Sequence, residues 1–241
     1  MSLANIRKKA KQKPPKIVLF GGAGVGKTTF AASMTKPIFV LCEEGMGKIE
    51  VDHFPLAQSF EDVTKNLQSL IDNDNDYKTL VVDSLDWLEP LIWDKACQDN
   101  NWKSIEQPFG KGFTEALKYW REYVSLLNEL REKGFTIMQI AHNQIKRFES
   151  PEIEAYDRHE LKLHRKAAAL ILEHSDCCFF ANYKLGTVQV KDKKGQLSSK
   201  AVQGERTIYT EERPAYLAKN RYGLPPALAF DWETVRAEML K

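Results

Sequence analysis

The sequence predicts an α/β fold, a mostly parallel sheet flanked by helices with antiparallel strands toward the carboxyl end. Three observations predict it. Short apolar runs of strand length alternate with amphipathic stretches of helical period. The first run, Ile17–Phe20, leads into a glycine-rich loop that opens a helix. The second and third end in acids, Glu43-Glu44 and Asp83. Polar groups thereby collect at the carboxyl ends of the strands, where open α/β sheets bind ligands.

The chain has 241 residues, which suits one α/β domain with room for a small appendage. Hydrophobic residues make up 43% and charged residues 28%, ordinary for a globular protein. A net charge of +2 averages over local patches and selects no partner. No apolar run approaches membrane-spanning length, and the amino terminus lacks the apolar core of a secretory leader. A cytoplasmic protein without membrane contact is expected. Cys42, Cys97, Cys177 and Cys178 have no C-x-x-C spacing, so reduced, mostly buried thiols are expected, without zinc.

Residues 1–16 carry six cations and no acid, with Pro14-Pro15 near the end. They read as a basic, flexible tail, either simply solvated or touching a nucleic acid or partner. The domain proper is expected over residues 17–241. Its first strand enters Gly21-Gly22-Ala23-Gly24-Val25-Gly26-Lys27-Thr28-Thr29, with the spacing G-x-x-x-x-G-K-T from Gly21 to Thr28. Glycines let successive backbone N–H groups converge on a phosphate, and the helix starting near Gly26 adds its unpaired N–H groups. Lys27 would reach the β- and γ-phosphates, and the Thr28 hydroxyl would hold Mg²⁺. The stretch therefore reads as an ATP site.

Pro37 precedes the second strand, 38–42, which ends in Glu43-Glu44 and two glycines. Ser59 and Asp62 form a capping box for a helix whose Phe60, Val63, Leu67 and Leu70 share one face. The acid-rich run 72–76 lacks the glycine and glutamate of a calcium loop and reads as a turn. The strand 79–84 finishes in Asp83, the position of a magnesium-associated carboxylate. Helices follow over 85–100, interrupted at Pro90, and over 112–133, capped by Gly134. The tryptophans at 87, 93, 102 and 120 read as core, with base stacking as the competing role. The strand 135–141 ends in His142-Asn143-Gln144, groups that could sense a γ-phosphate or cap the loop. Residues 145–156 show no apolar period and read as a long loop of mixed charge. A helix is expected over 160–174 and a buried strand over 176–183. Hairpin strands at 187–190 and 206–210 would turn at 192–195, and a last helix would cover 232–240.

Taken together, GGAGVGKTT, IFVLCEEG, TLVVDS, IAHNQIKRF and AYLAKNRYGLP resemble the RecA-like recombinase core. The likeness is greater to compact phage-type ATP-binding proteins of that class, associated with single-strand annealing and recombination. It runs from residue 17 to about 230. The phosphate-loop motif is generic, whereas IFVLCEEG and AKNRYGLP in this order are more discriminating. The resemblance implies that Glu43 polarises the attacking water, with Glu44 as fallback, and that Asp83 is the magnesium acid. It puts the relay of nucleotide state near His142. It also likens Lys219-Asn220-Arg221 to an element that reaches a neighbouring subunit's γ-phosphate, so that Lys219 and Arg221 would act in trans within an oligomer or filament.

On that footing the expected function is that of a Mg²⁺-dependent ATPase. It would bind single-stranded DNA, be stimulated by it, and promote annealing or homologous recombination in the cytoplasm of a phage's bacterial host. A single-strand-binding protein would be a further partner. The alternatives are an ATP-binding regulator or helicase loader with slow hydrolysis, or a nucleotide kinase.

Overall fold

The computed structural model describes residues 13–107, 109–151, 154–191 and 197–241. Most of the expected basic tail and the expected turn at 192–195 lie outside them. In chain order the elements are β1 (Lys16–Gly21), α1 (Lys27–Ala32), β2 (Pro37–Leu41), β3 (Asp52–His53), α2 (Phe60–Asp72), β4 (Thr79–Asp83), α3 (Leu85–Asn100) and α4 (Gly112–Glu132). Then come β5 (Thr136–Phe148), β6 (Tyr156–Leu161), α5 (Arg165–His174), β7 (Cys177–Lys191), β8 (Leu197–Tyr209), β9 (Lys219–Asn220), β10 (Ala227–Ala229) and α6 (Trp232–Met239).

The sheet runs β10-β8-β7-β1-β5-β4-β2-β3, with β6 attached to β5 and β9 to β7. From β7 to β3 the pairings are parallel; β8, β10, β6 and β9 pair antiparallel. The fold is thus an α/β phosphate-loop NTPase core with a mixed sheet, as the sequence predicts.

Alternation along the strands divides the core in two, because successive side chains point to opposite faces. Val18, Phe20, Val40, Leu80, Val82 and Ile137 pack with apolar residues of α2, α3, α4 and α5. Ile17, Leu19, Phe39, Val81, Met138 and Ile140 pack with α1 and α6. Both faces of the central strands are covered, which explains why their sequences are almost unbroken apolar runs.

Local chemistry sets the element ends. The Ser59 hydroxyl accepts from the Asp62 N–H, and the Asp62 carboxylate accepts from the Ser59 N–H, closing the capping box at α2. The acid-rich run after α2 is a turn into β4. Gly134, at φ +98°, ends α4: its N–H donates to the Arg131 carbonyl, and that of Phe135 to Leu130.

Four expectations change. The stretch 145–156 is not a long loop: β5 continues to Phe148 and pairs antiparallel with β6. This ribbon is held by cross-strand pairs rather than by an apolar face. Arg147 stands opposite Asp157, and Phe148 opposite Tyr156 with ring centroids 5.4 Å apart. A half-solvated ribbon of this kind carries no hydrophobic period. The expected helix from Glu160 instead begins at Arg165, because 156–161 is strand; His164 is its cap. Segments 176–183 and 187–190 are one strand, β7, with a register shift between Tyr183 and Leu185. Pro90 does not interrupt α3, which runs through it. So near the amino end it removes about one helical hydrogen bond.

Trp120 is buried, Trp93 packs against the core, and Trp87 is 52% exposed. Cys42, Cys177 and Cys178 are buried and all four thiols are free. No helix among the described residues is long and apolar enough to cross a membrane.

At the amino-terminal edge of the parallel strands, cations crowd round one acid. Asp176 accepts from the Lys16 N–H at 3.0 Å and from Arg131 Nη2 at 2.7 Å, with Arg221 at 3.7 Å. His174 Nε2 donates to Asn128 Oδ1 at 2.8 Å. Burial, then Lys16, Arg131 and Lys219, push His174 down to about 4 from an ordinary 6.5. Between those values the unfolded chain binds the extra proton and the folded chain does not. Stability held by neutral His174 is therefore complete above pH 6.5 and lost as pH falls toward 4. Glu89 and Asp83, raised to about 7 and about 6 mainly by burial, act in the opposite direction. The difference between two proteins isolates His174. Urea unfolding from pH 7 to 4 should show His174→Gln losing less stability than the wild type; parallel curves would contradict this.

Candidate functional site

The strand register assembles the site. Gly21 at the end of β1 stands beside His142 on β5 and Ala181 on β7. A Cβ at Gly21 would lie 2.2 Å from the Ala181 carbonyl oxygen, so only glycine lets β7 approach here. Beyond it the loop needs left-handed backbone at Gly24 (φ +74°) and Gly26 (φ +98°). Gly26 is the residue just before α1.

Lys27 is 6% exposed, and its ammonium donates to the Gly21 and Gly22 carbonyls at 3.0 Å each. Burial lowers its pKa, opposed by Asp83, Asp86 and Glu43. Thr28 Oγ1 donates to Asp83 Oδ2 at 2.8 Å, across the width of the intervening strand β5. Asp83 is 5% exposed. Burial raises it to about 6, Glu43 adds to the rise, and the Thr28 hydrogen bond, Lys27 and His142 oppose it. A buried carboxylate beside a second carboxylate is under-compensated and suits a divalent cation. Magnesium fits the Thr28 and Asp83 oxygens on that ground.

Glu43 follows β2 and is half-buried, whereas Glu44 is exposed. Both line a cavity of about 390 Å³ with Gly24, Gly26, Lys27, Thr28 and Asp83. Only Glu43 acts electrostatically on both Lys27 and Asp83. Thr29 and His142 line the same cavity. His142 is braced by Asp86: its N–H donates to Asp86 Oδ1 at 2.9 Å, and Nδ1 lies 3.0 Å from Oδ2. Asp86, lowered by its bonds to His142 against the cost of burial, stays ionised. Asn143 donates to His159 Nδ1 at 2.7 Å, and its Oδ1 would be 3.9 Å from a Cβ at Gly22.

Of the residues singled out from sequence, the loop 21–29, Glu43, Asp83 and His142 converge. Lys219 and Arg221 do not. β9 pairs with Cys177 and Cys178 at the start of β7, the opposite end of the sheet from the loop. Lys219 Nζ donates to the Leu172 and Glu173 carbonyls at the end of α5, rather than projecting outward. The Arg221 side chain is 57% exposed. Ala23 and Val25 complete the loop, Val25 with its side chain in the core. Sequence reading missed Asp86 and Arg206. Asp86 lies three residues past the strand-end acid, and only the fold turns it onto His142. Arg206, on β8, approaches the Val25 carbonyl at 3.5 Å, and nothing in its local sequence marks it.

Comparison with known proteins bears on the family of the chain. The profile of a family described as "AAA domain" (AAA_24) matches residues 13–222. The SPbeta prophage-derived uncharacterized protein YorG of Bacillus subtilis (strain 168) is 27% identical over 134 residues, 52% of this chain. That match spans 40% of the length of YorG. Among solved structures, the KaiC-like protein PH0186 of Pyrococcus horikoshii OT3 gives a TM-score of 0.39 at 15% identity, covering 82% of this chain and 86% of that one. The flagellar accessory protein FlaH of Methanocaldococcus jannaschii gives 0.39 at 10%, covering 86% and 87%. With its phosphate loop, strand-end acid and matched profile, the chain belongs to the AAA-domain family and is an ATP-binding protein of the phosphate-loop NTPase type.

Proposed function

We propose that the protein is an ATP-dependent regulator that hydrolyses ATP slowly alone and faster when a second copy completes the site. One observation carries this reading. In the cavity Asp83 and Glu43 meet a single lysine, Lys27, and no arginine is among the described residues lining it. Phosphoryl transfer depends on positive charge placed where the transferred group develops negative charge.

Thr28 and Asp83 would hold the magnesium ion, which supplies charge neutralisation between the outer phosphates. Lys27 would exchange its two carbonyl acceptors for phosphate oxygens. Glu43 would take a proton from the attacking water as its oxygen bonds to the γ-phosphorus and the bond to ADP breaks. His142, braced by Asp86, would report the state of the γ-phosphate along β5 into the β5–β6 ribbon.

The missing cation has a candidate source in trans. Lys16, Arg131, Lys219 and Arg221 surround the single carboxylate of Asp176, and Arg221 is exposed. An edge with that excess of positive charge suits the phosphate-bearing edge of another copy. Such a contact is head-to-tail and builds a ring or a filament.

A second reading, stimulation by single-stranded DNA during annealing or recombination, has its own support. β5 runs without a break from His142 to Lys146, Arg147 and Phe148, so a bound strand could act on the nucleotide site through one element. Phosphate contacts would make such binding strongly salt-dependent.

Lys27→Ala should weaken ATP binding at least about tenfold, through loss of a charge-assisted contact. Glu43→Gln should keep affinity and lower turnover by about 10²–10⁴-fold. Calorimetric affinity and steady-state phosphate release check both. Equal turnover of Glu43→Gln and wild type removes Glu43 as the base, and a phosphorylated acceptor in place of free phosphate would favour a kinase. Arg221→Ala should cost on the order of 10³-fold in oligomer-dependent turnover. Mixing it with Lys27→Ala protein should restore part of the activity, and no recovery in mixed oligomers contradicts a shared site. Single-stranded DNA should raise wild-type turnover at low salt; an unchanged rate removes the DNA reading.

A further inference from the structure

Arg206 lies against the phosphate loop and is not among the residues lining the cavity. Its Nη1 is 3.5 Å from the Val25 carbonyl, and its guanidinium carbon is 5.2 Å from the ring centroid of Phe230. A Cβ at Gly26 would come within 2.6 Å of that Nη1 and 3.5 Å of Phe230 Cε1. The bare α-carbon of Gly26 thus admits the pair against the loop. Phe230 is itself backed by Phe30 of α1 at 5.1 Å, and Phe30 by Trp232 of α6 at 6.2 Å. Among the described residues no carboxylate pairs with Arg206, whose side chain is exposed.

The sheet order gives this pair a direction. Asp83 on β4, Glu43 after β2 and His142 on β5 all lie to one side of β1, and β7 and β8 lie to the other. A triphosphate held in the loop with its γ end toward Asp83 and Glu43 sends its nucleoside end toward β8. Arg206 stands on that side, away from the atoms that react. Its planar, weakly hydrated guanidinium offers a face for an aromatic ring and keeps its charge at every working pH.

We propose that Arg206, backed by Phe230, is the platform on which the base of the bound nucleotide stacks. The pair would make the site prefer a nucleoside triphosphate to a bare polyphosphate. This rests on the reading that the Gly21–Thr29 loop holds ATP, and it assigns Arg206 to binding rather than to the transfer step.

The test is isothermal titration of magnesium–ATP and magnesium–tripolyphosphate into wild type, Arg206→Ala, Arg206→Lys and Lys27→Ala. Arg206→Ala should bind ATP about 5- to 30-fold more weakly, the range of a desolvated cation–π contact. Its tripolyphosphate affinity should stay within about twofold, which also shows that the loop is intact. Arg206→Lys keeps the charge without the planar face and should lose most of the same preference. Equal weakening of both ligands by Arg206→Ala would assign Arg206 to the phosphates or to holding the loop, and overturns the proposal. So does unchanged ATP binding in a protein where Lys27→Ala still weakens it. Failure of wild type to bind either ligand, or binding that ignores Lys27→Ala, overturns the ATP site itself and is thereby distinguished.

Discussion

The close approach of β7 to Gly21 is the contact from which the rest of the site follows. With 2.2 Å between the place of a Cβ and the Ala181 oxygen, β1 can be held between β5 and β7 only because residue 21 has no side chain. That register brings His142 level with Gly21 and starts the loop at the carboxyl edge of a sheet covered on both faces. A larger residue would have to push β7 aside, and overpacking of this kind costs about 1–3 kcal/mol. Parallel neighbours then carry Asp83 and Glu43 to the same edge, so the groups proposed to bind and to react derive from one alignment.

The same sheet makes the site directional. Acids and the braced histidine lie on the β5–β4–β2 side of the loop, and Arg206 with its aromatic backing lies on the β7–β8 side. Lys219 and Arg221 sit at the other end of β7, beside Asp176. Positive charge is therefore divided: one lysine within the loop, one arginine on the β8 side of it, and a cluster on the far edge. A single copy brings few cations to the transferred phosphate, which is the physical basis for assigning it slow turnover.

Where a feature depends on local chemistry, it was legible in the sequence. The loop spacing, the Ser59–Asp62 capping box, the Gly134 helix end and the strands ending in Glu43 and Asp83 each have a residue-level cause within a few positions. The β5–β6 ribbon did not, because its side-chain contacts are cross-strand pairs such as Phe148 with Tyr156 that join only when the strand folds back. Asp86 and Arg206 were invisible for a related reason. Their roles come from bonds to residues 56 and 181 positions away, and no spacing rule spans such distances. The resemblance of the Lys219–Arg221 segment to a trans-acting element is still a matter of sequence likeness, joined by the charge imbalance round Asp176.

The central claim is that one copy holds the nucleotide and a second completes the chemistry. The most direct measurement is ATP turnover per protein molecule as a function of protein concentration, with oligomer size followed in parallel by light scattering. Specific activity that climbs with self-association, and levels off when association is complete, is the predicted result. Turnover per molecule that stays constant from monomer to oligomer would contradict it.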